Sequence, residues 1–201
     1  MYNDVKEEID EAILTLKMIR GNSGSEKNLE FFANEVAIRT KYKKKFTIFT
    51  VGNGGSAATA SHFVCDLTKL VREKTGEGIK AVCLNDNMAL VSAIANDRGN
   101  QYIYVDQLRE AGPGDILVIF TTSGGSENGQ SYNLVSAARS VKCEGEGVMV
   151  IAFSGKDGGA LRDYVDIEIR VPHWDTPLIE GIHSVLAHAF INSLIGKLKN
   201  E

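Results

Sequence analysis

Phe46-Thr47-Ile48-Phe49-Thr50-Val51-Gly52-Asn53-Gly54-Gly55-Ser56 passes from an apolar, β-rich run into a glycine turn, and an apolar-periodic stretch follows. The reading is strand, tight turn, helix. Glycines let the backbone turn sharply and leave consecutive N–H groups free, the helix N-terminus adds partial positive charge, and Ser56 offers a hydroxyl. Such a turn suits phosphate. Thr121-Thr122-Ser123-Gly124-Gly125-Ser126 repeats the design after Asp115-Ile116-Leu117-Val118-Ile119-Phe120 and ahead of another helical pattern. Two hydroxyl-rich loops would then sit at the C-terminal ends of parallel strands, where open α/β sheets bind ligands. Neither loop has the lysine of a P-loop or the spacing of a dinucleotide fingerprint, which disfavours a nucleotide and points to a small phosphorylated metabolite.

Outward from these loops, strands and helices alternate. Strand-like runs are predicted near 46–51, 79–84, 115–120, 147–153 and 165–171, with helices near 56–71, 87–96, 101–110, 127–141 and 177–199. Short apolar strands alternating with helices mean an α/β chain with a parallel sheet covered on both faces. Two helices come first. Val5, Ile9, Ala12, Ile13, Leu16 and Ile19 recur at helical spacing behind Asn3 or Asp4 and stop near Gly21; the second runs from Glu26 to Tyr42 with Leu29, Phe32, Val36 and Ala37 on one side. It closes in the basic run Lys41-Tyr42-Lys43-Lys44-Lys45, read as a solvated helix end. No linker, repeat or low-complexity tract divides residues 1–201, so one domain is expected.

Composition bounds the partners. With 43% hydrophobic and 24% charged residues, 201 residues can bury one sizeable core. A net charge of -4 gives no reason to expect nucleic acid or an anionic membrane, so any phosphate site must be local. Cys65, Cys83 and Cys143 form neither an even set nor a Cys-x-x-Cys pair, which favours a reducing cytosol and small buried apolar roles. The charged start, Met1 to Glu8, and the lack of any run approaching 18 apolar residues predict a cytoplasmic protein with neither signal peptide nor membrane span.

Further motifs follow in order: His62-Phe63-x-x-Asp66-Leu67-Thr68, Asn96-Asp97-x-Gly99, Gly155-Lys156-Asp157-Gly158-Gly159 and Val171-Pro172-His173. With the two loops, the series resembles the sugar isomerase (SIS) domain, and within it the phosphoheptose isomerases. The resemblance implies a flavodoxin-like five-stranded parallel sheet and a homotetramer with sites at subunit interfaces. It implies conversion of sedoheptulose 7-phosphate to D-glycero-D-manno-heptose 7-phosphate. By position, Asn53, Gly54, Gly55 and Ser56 with Thr121, Thr122, Ser123 and Ser126 would hold the substrate and its phosphate, and Asn96 and Asp97 would contact the sugar.

Aldose–ketose isomerisation needs a base beside a carbonyl and an acid or metal to polarise it. His62 and Asp66, four apart on the helix after the first loop, lie about 40° apart around its axis and share a face. They suit one divalent metal or one acid/base unit. Cys65 falls on the same face and is a further candidate ligand. The family pattern has Glu where this chain has Asp66 and Gln where it has Glu180, and its final-helix histidine corresponds to His188. The resemblance thus implies Asp66 as base and ligand, His188 as acid, Glu180 as a substrate contact, and zinc on His62, Asp66, Glu180 and His188. Aspartate withdraws the carboxylate by about 1.5 Å. The family's basic residue after Thr68 is unmatched in register, with Leu70 there and Lys69 and Arg72 beside it. Glu180 and His188 would lie about 12 Å apart along a regular helix. Either Glu180 precedes the helix, or different subunits supply the ligands, or His183 is the true partner. His173, ending a strand beside Pro172, reads as structural. Two other functions compete: a non-catalytic SIS module that binds a sugar phosphate or a protein partner, and an isomerase of another phosphosugar for surface polysaccharide.

Overall fold

Valine, isoleucine and phenylalanine concentrate in five short runs, and each becomes a strand: β1 (Ile48–Gly52), β2 (Ala81–Cys83), β3 (Ile116–Phe120), β4 (Met149–Gly155) and β5 (Ile167–Val171). The computed structural model describes residues 4–22, 24–143 and 147–199. All pairs are parallel, in the order β2-β1-β3-β4-β5. This is the flavodoxin-like order, whose topological switch lies between β1 and β3. In register, Gly52 stands opposite Phe120 and Phe120 opposite Phe153, so the loops after β1 and β3 leave the sheet at one level.

Helices cover both faces. α1 (Val5–Asn22), α2 (Ser25–Lys41), α3 (Gly55–Cys65), α4 (Val71–Thr75) and α7 (Thr176–Lys199) lie on one; α5 (Met88–Asp97) and α6 (Tyr132–Cys143) lie on the other. The central strand serves both faces by alternation: Ile116, Val118 and Phe120 join the first core, Leu117 and Ile119 the second, and none is exposed. Under α7 the rings of Phe32, Phe190, Phe63, Phe120 and Phe153 pack in sequence.

Several sequence expectations need correction. The helix predicted at 101–110 is two 3₁₀ turns, Asn100–Tyr102 and Asp106–Leu108. Side chains hold this segment in place of a helical ladder: Gln107 Nε2 donates to the carbonyls of Leu84 and Ile103, and Asp106 pairs with Arg98 and Arg109. The helix predicted from 127 begins at Tyr132, because Ser131 has φ 55° and breaks the helical path. Of the three cysteines only Cys83 is buried; Cys65 and Cys143 face solvent. No run approaching 18 apolar residues was expected, yet α7 is long and apolar enough to cross a membrane by length and composition, and half of its most apolar window is buried in the core. It packs against α2 and α3.

Candidate active site

The first loop needs its glycines. A Cβ on Gly52 would stand 2.5 Å from the backbone of Ser56, and Gly54 has φ 55° and ψ -126°, a region that side chains avoid. Buried groups fix the strand end below it. Tyr104 Oη donates to the Gly52 carbonyl at 2.9 Å, and Asn85 Nδ2 donates to that carbonyl at 2.9 Å and to Tyr104 Oη at 2.8 Å. Burial pushes the Tyr104 phenol above its ordinary pKa, so it stays a donor.

The second loop, 121–131, is longer than the sequence suggested. Thr121 Oγ1 accepts from Gly124 N and Ser123 Oγ from Gly125 N, each at 3.2 Å. Gly124 is pressed against the β4–β5 connection, where a Cβ would stand 1.8 Å from the Gly158 carbonyl oxygen. Ser126 therefore lies in an exposed turn, not at a helix start; its N–H donates to Gln130 O at 3.0 Å. The helix N-terminus belongs to Ser131 and Asn133. Both were missed, although a serine ahead of the apolar period Leu134, Val135, Ala138 is an N-cap signal.

Between the two loops lies a cavity of about 570 Å³, lined among others by Asn53, Gly54, Asn100, Gln101, Ser131 and Asn133. Among the described residues no charged side chain lines it. Asn96 and Asp97 do not line it; they are exposed at the end of α5, with Asn96 Nδ2 donating to Asp97 Oδ1 at 2.8 Å.

On the other side of the first loop α3 and α7 run side by side, and three pairings mark their course. Glu180 meets Gly55, Ser184 Oγ lies 3.4 Å from Thr59 Oγ1, and His188 meets His62. Residues 180, 184 and 188 share one face of α7. Glu180 lies inside the regular helix, so the first explanation for its distance from His188 is excluded.

At the far end, His62, Asp66 and His188 converge over a cavity of about 210 Å³. His62 Nε2 and His188 Nε2 are 3.3 Å apart; Asp66 Oδ2 lies 3.4 Å from the first and 3.5 Å from the second. Local backbone sets this up. From Asp66 to Leu70 the helix widens to a π-turn, a feature frequent at functional sites, and Thr68 Oγ1 donates to Val64 O at 2.8 Å and Cys65 O at 3.3 Å. The sequence gives no signal of this turn.

The donor set fits zinc. With bonds of about 2.1 Å, two ligands of a tetrahedral ion stand about 3.4 Å apart, and the three observed separations bracket that value. Two imidazoles and a carboxylate are also the right chemistry. Glu180 and Cys65 are not part of this cluster. His183 is not either: it is fully buried between Phe120 and Phe153, with Nε2 2.9 Å from Ser154 O and Nδ1 without a partner. Burial lowers its pKa to about 4, so it is neutral. His173 anchors a loop, with Nε2 3.4 Å from Glu11 Oε1 and Nδ1 accepting from Asp175 N at 3.0 Å.

A family model described as the SIS domain matches residues 20–155. The chain belongs to the SIS domain family. A phosphoheptose isomerase of Proteus mirabilis is 34% identical over 194 residues, covering 95% of each chain. A lincomycin biosynthesis protein of Streptomyces lincolnensis is 43% identical over 149 residues, which cover 71% of this SIS chain but only 54% of that protein. The structure of a phosphoheptose isomerase from Neisseria gonorrhoeae superposes with a TM-score of 0.80 at 28% identity, over 94% of this chain and 96% of that one.

Proposed function

We propose that this chain is an aldose–ketose isomerase of a phosphosugar, converting sedoheptulose 7-phosphate to D-glycero-D-manno-heptose 7-phosphate. The observation that carries the reading is the convergence of His62, Asp66 and His188 about two helical turns beyond the glycine loop that opens α3. The substrate's phosphate rests on the N–H groups and hydroxyls of the two loops, with Ser56, Thr122 and Ser123 as donors. Its sugar chain runs along α3 past Glu180.

Length supports a seven-carbon substrate. Gly55 and His62 are about 10 Å apart along α3, and helical side chains lean back toward the N-terminus. An extended chain advances about 1.2 Å per bond, so the seven bonds from phosphorus to the ketose carbonyl carbon span about 8 Å. A ketopentose 5-phosphate falls about two bonds short.

His62, Asp66 and His188 would hold zinc, which when bound supplies a Lewis acid for a carbonyl. Asp66, its side chain only 14% exposed, would also serve as the base that moves a proton between neighbouring carbons. His188, half-exposed beside it, would return a proton to oxygen only in the state in which its Nε2 does not hold the metal. The triad is superfluous for a module that only binds, which weighs against the non-catalytic reading. An isomerase of another phosphosugar is the second reading, favoured by a relative named for lincomycin biosynthesis and not for heptose.

We place the enzyme in the cytoplasm as a homo-oligomer. Val5, Ile9 and Ile13, one turn apart on α1, are 72%, 54% and 45% exposed and form an apolar stripe suited to a second copy. The function is tested by incubating the protein with sedoheptulose 7-phosphate and with ribulose 5-phosphate, following the aldose by NMR. Conversion of the first alone is expected; conversion of neither contradicts the reading.

A further inference from the structure

Asn53, at the tip of the first loop, has the look of a substrate ligand, but its side chain is already committed. An asparagine amide offers two N–H donors and one oxygen with two lone pairs. Asn53 Nδ2 donates to Asn133 Oδ1 at 2.9 Å and lies 3.4 Å from Ser131 Oγ. Its Oδ1 accepts from Asn133 Nδ2 at 2.9 Å and stands 3.3 Å from Tyr104 Oη. The pair is reciprocal, and both N–H groups of Asn53 are directed at protein acceptors; the single Tyr104 hydrogen goes to the Gly52 carbonyl, so Oδ1 has Asn133 Nδ2 as its donor.

The partners tie three elements together. Asn133 lies in the first turn of α6 and its Oδ1 also accepts from Leu134 N at 3.0 Å; Tyr104 is buried and bonded to the Gly52 carbonyl. The amide pair therefore pins the start of α3, through its loop, to the start of α6. The first loop and the start of α6, which line one cavity free of charged side chains, are thereby held at a fixed separation, as a phosphate site built without lysine or arginine demands.

We infer that Asn53 and Asn133 are positioning residues that act as a unit to hold the phosphate site together, and that neither donates to the substrate. This rests on the phosphosugar reading above and names the device that makes its phosphate site. An Asn53 that bound substrate directly would have to break the pair, leaving Asn133 unsatisfied.

The test uses the full chain and inorganic phosphate, whose binding is independent of turnover. Phosphate is titrated into wild type, Asn53→Ser, Asn133→Ser and the double variant, following the amide signals of Gly54 and Gly55 by NMR. Serine is tolerated in the first turn of a helix, and Ser131 ahead of α6 is untouched by these variants. Each single variant should weaken phosphate about tenfold, and the double variant no more than either single. With sedoheptulose 7-phosphate the loss should appear mainly as a raised KM. Asn53→Ser weakening phosphate while Asn133→Ser binds like wild type would overturn the inference, as would additive losses. Should Asn133→Ser fail to fold, Ser131→Ala, which removes the second acceptor near Asn53 Nδ2, replaces it, with a smaller loss that must vanish in the Asn53→Ser background. Absence of turnover in wild type with the coupling intact would sink the substrate and leave the unit standing.

Discussion

The carboxylate of Glu180 occupies the space where a side chain on Gly55 would begin: a Cβ there would stand 2.4 Å from Glu180 Oε2. A negative charge thus sits against the loop proposed to receive a phosphate dianion, two helical turns before His188 on the same face of α7. The charge favours the ligand's sugar hydroxyls and opposes its phosphate.

Glu180→Gln should therefore lower the KM for a phosphosugar by about fivefold, since removing one like charge near the loop is worth roughly 1 kcal/mol. Steady-state kinetics decide it. A raised KM would mean that the carboxylate itself, and not merely a hydrogen-bonding side chain, is required.

Replacing His188 or His62 by Ala removes one of three converging donors. Zinc affinity, measured by chelator competition, should fall by more than the 10- to 100-fold that outer-shell changes cost. Unchanged affinity in either variant would dissolve the proposed metal centre.

Asp66 has its Oδ2 at nearly equal distances from both histidine nitrogens, 3.4 and 3.5 Å, the place of a ligand. Asp66→Asn should accordingly lose metal and turnover together. Asp66→Glu lengthens the carboxylate by about 1.5 Å, enough to displace it from the π-turn geometry and cost about 100-fold in rate. Higher heptose-phosphate activity in Asp66→Glu would show instead that the shorter residue is adapted to another substrate.

His183 gives a pH signature of its own. Its pKa falls from 6.5 to about 4 in the fold, so the neutral ring is bound and protonation favours unfolding. Stability is full above pH 6.5 and declines as the pH falls toward 4, by about 3 kcal/mol at 1.36 kcal/mol per unit. His183→Phe should flatten this slope in urea unfolding across that range. An equal slope in the variant would assign the acid sensitivity elsewhere.

Alternating apolar runs and glycine turns made the parallel sheet legible, and the i,i+4 spacing of His62 and Asp66 put both on one face because α3 is regular up to that point. What the sequence hid depends on tertiary packing. Ser126 reads like a helix start, yet Gly124 and Gly125 must fold onto Gly158 and Gly159, which delays α6 to Tyr132 and hands the role to Ser131 and Asn133. The helical period of 101–110 was overridden by side-chain bonds from Gln107 and Asp106. Glu180 was grouped with the metal ligands through a family pattern, whereas the side-by-side course of α3 and α7 leaves it against Gly55, away from the histidine–aspartate cluster.

The central claim is that His62, Asp66 and His188 isomerise a phosphosugar held by the glycine loops. It is tested most directly by adding sedoheptulose 7-phosphate in D₂O to wild type and His188→Ala, each with and without zinc, and recording the heptose product by NMR. Wild type should form the aldose with deuterium entering at the carbon next to the carbonyl, faster with zinc, and His188→Ala should form almost none. Equal conversion by both proteins would contradict the account.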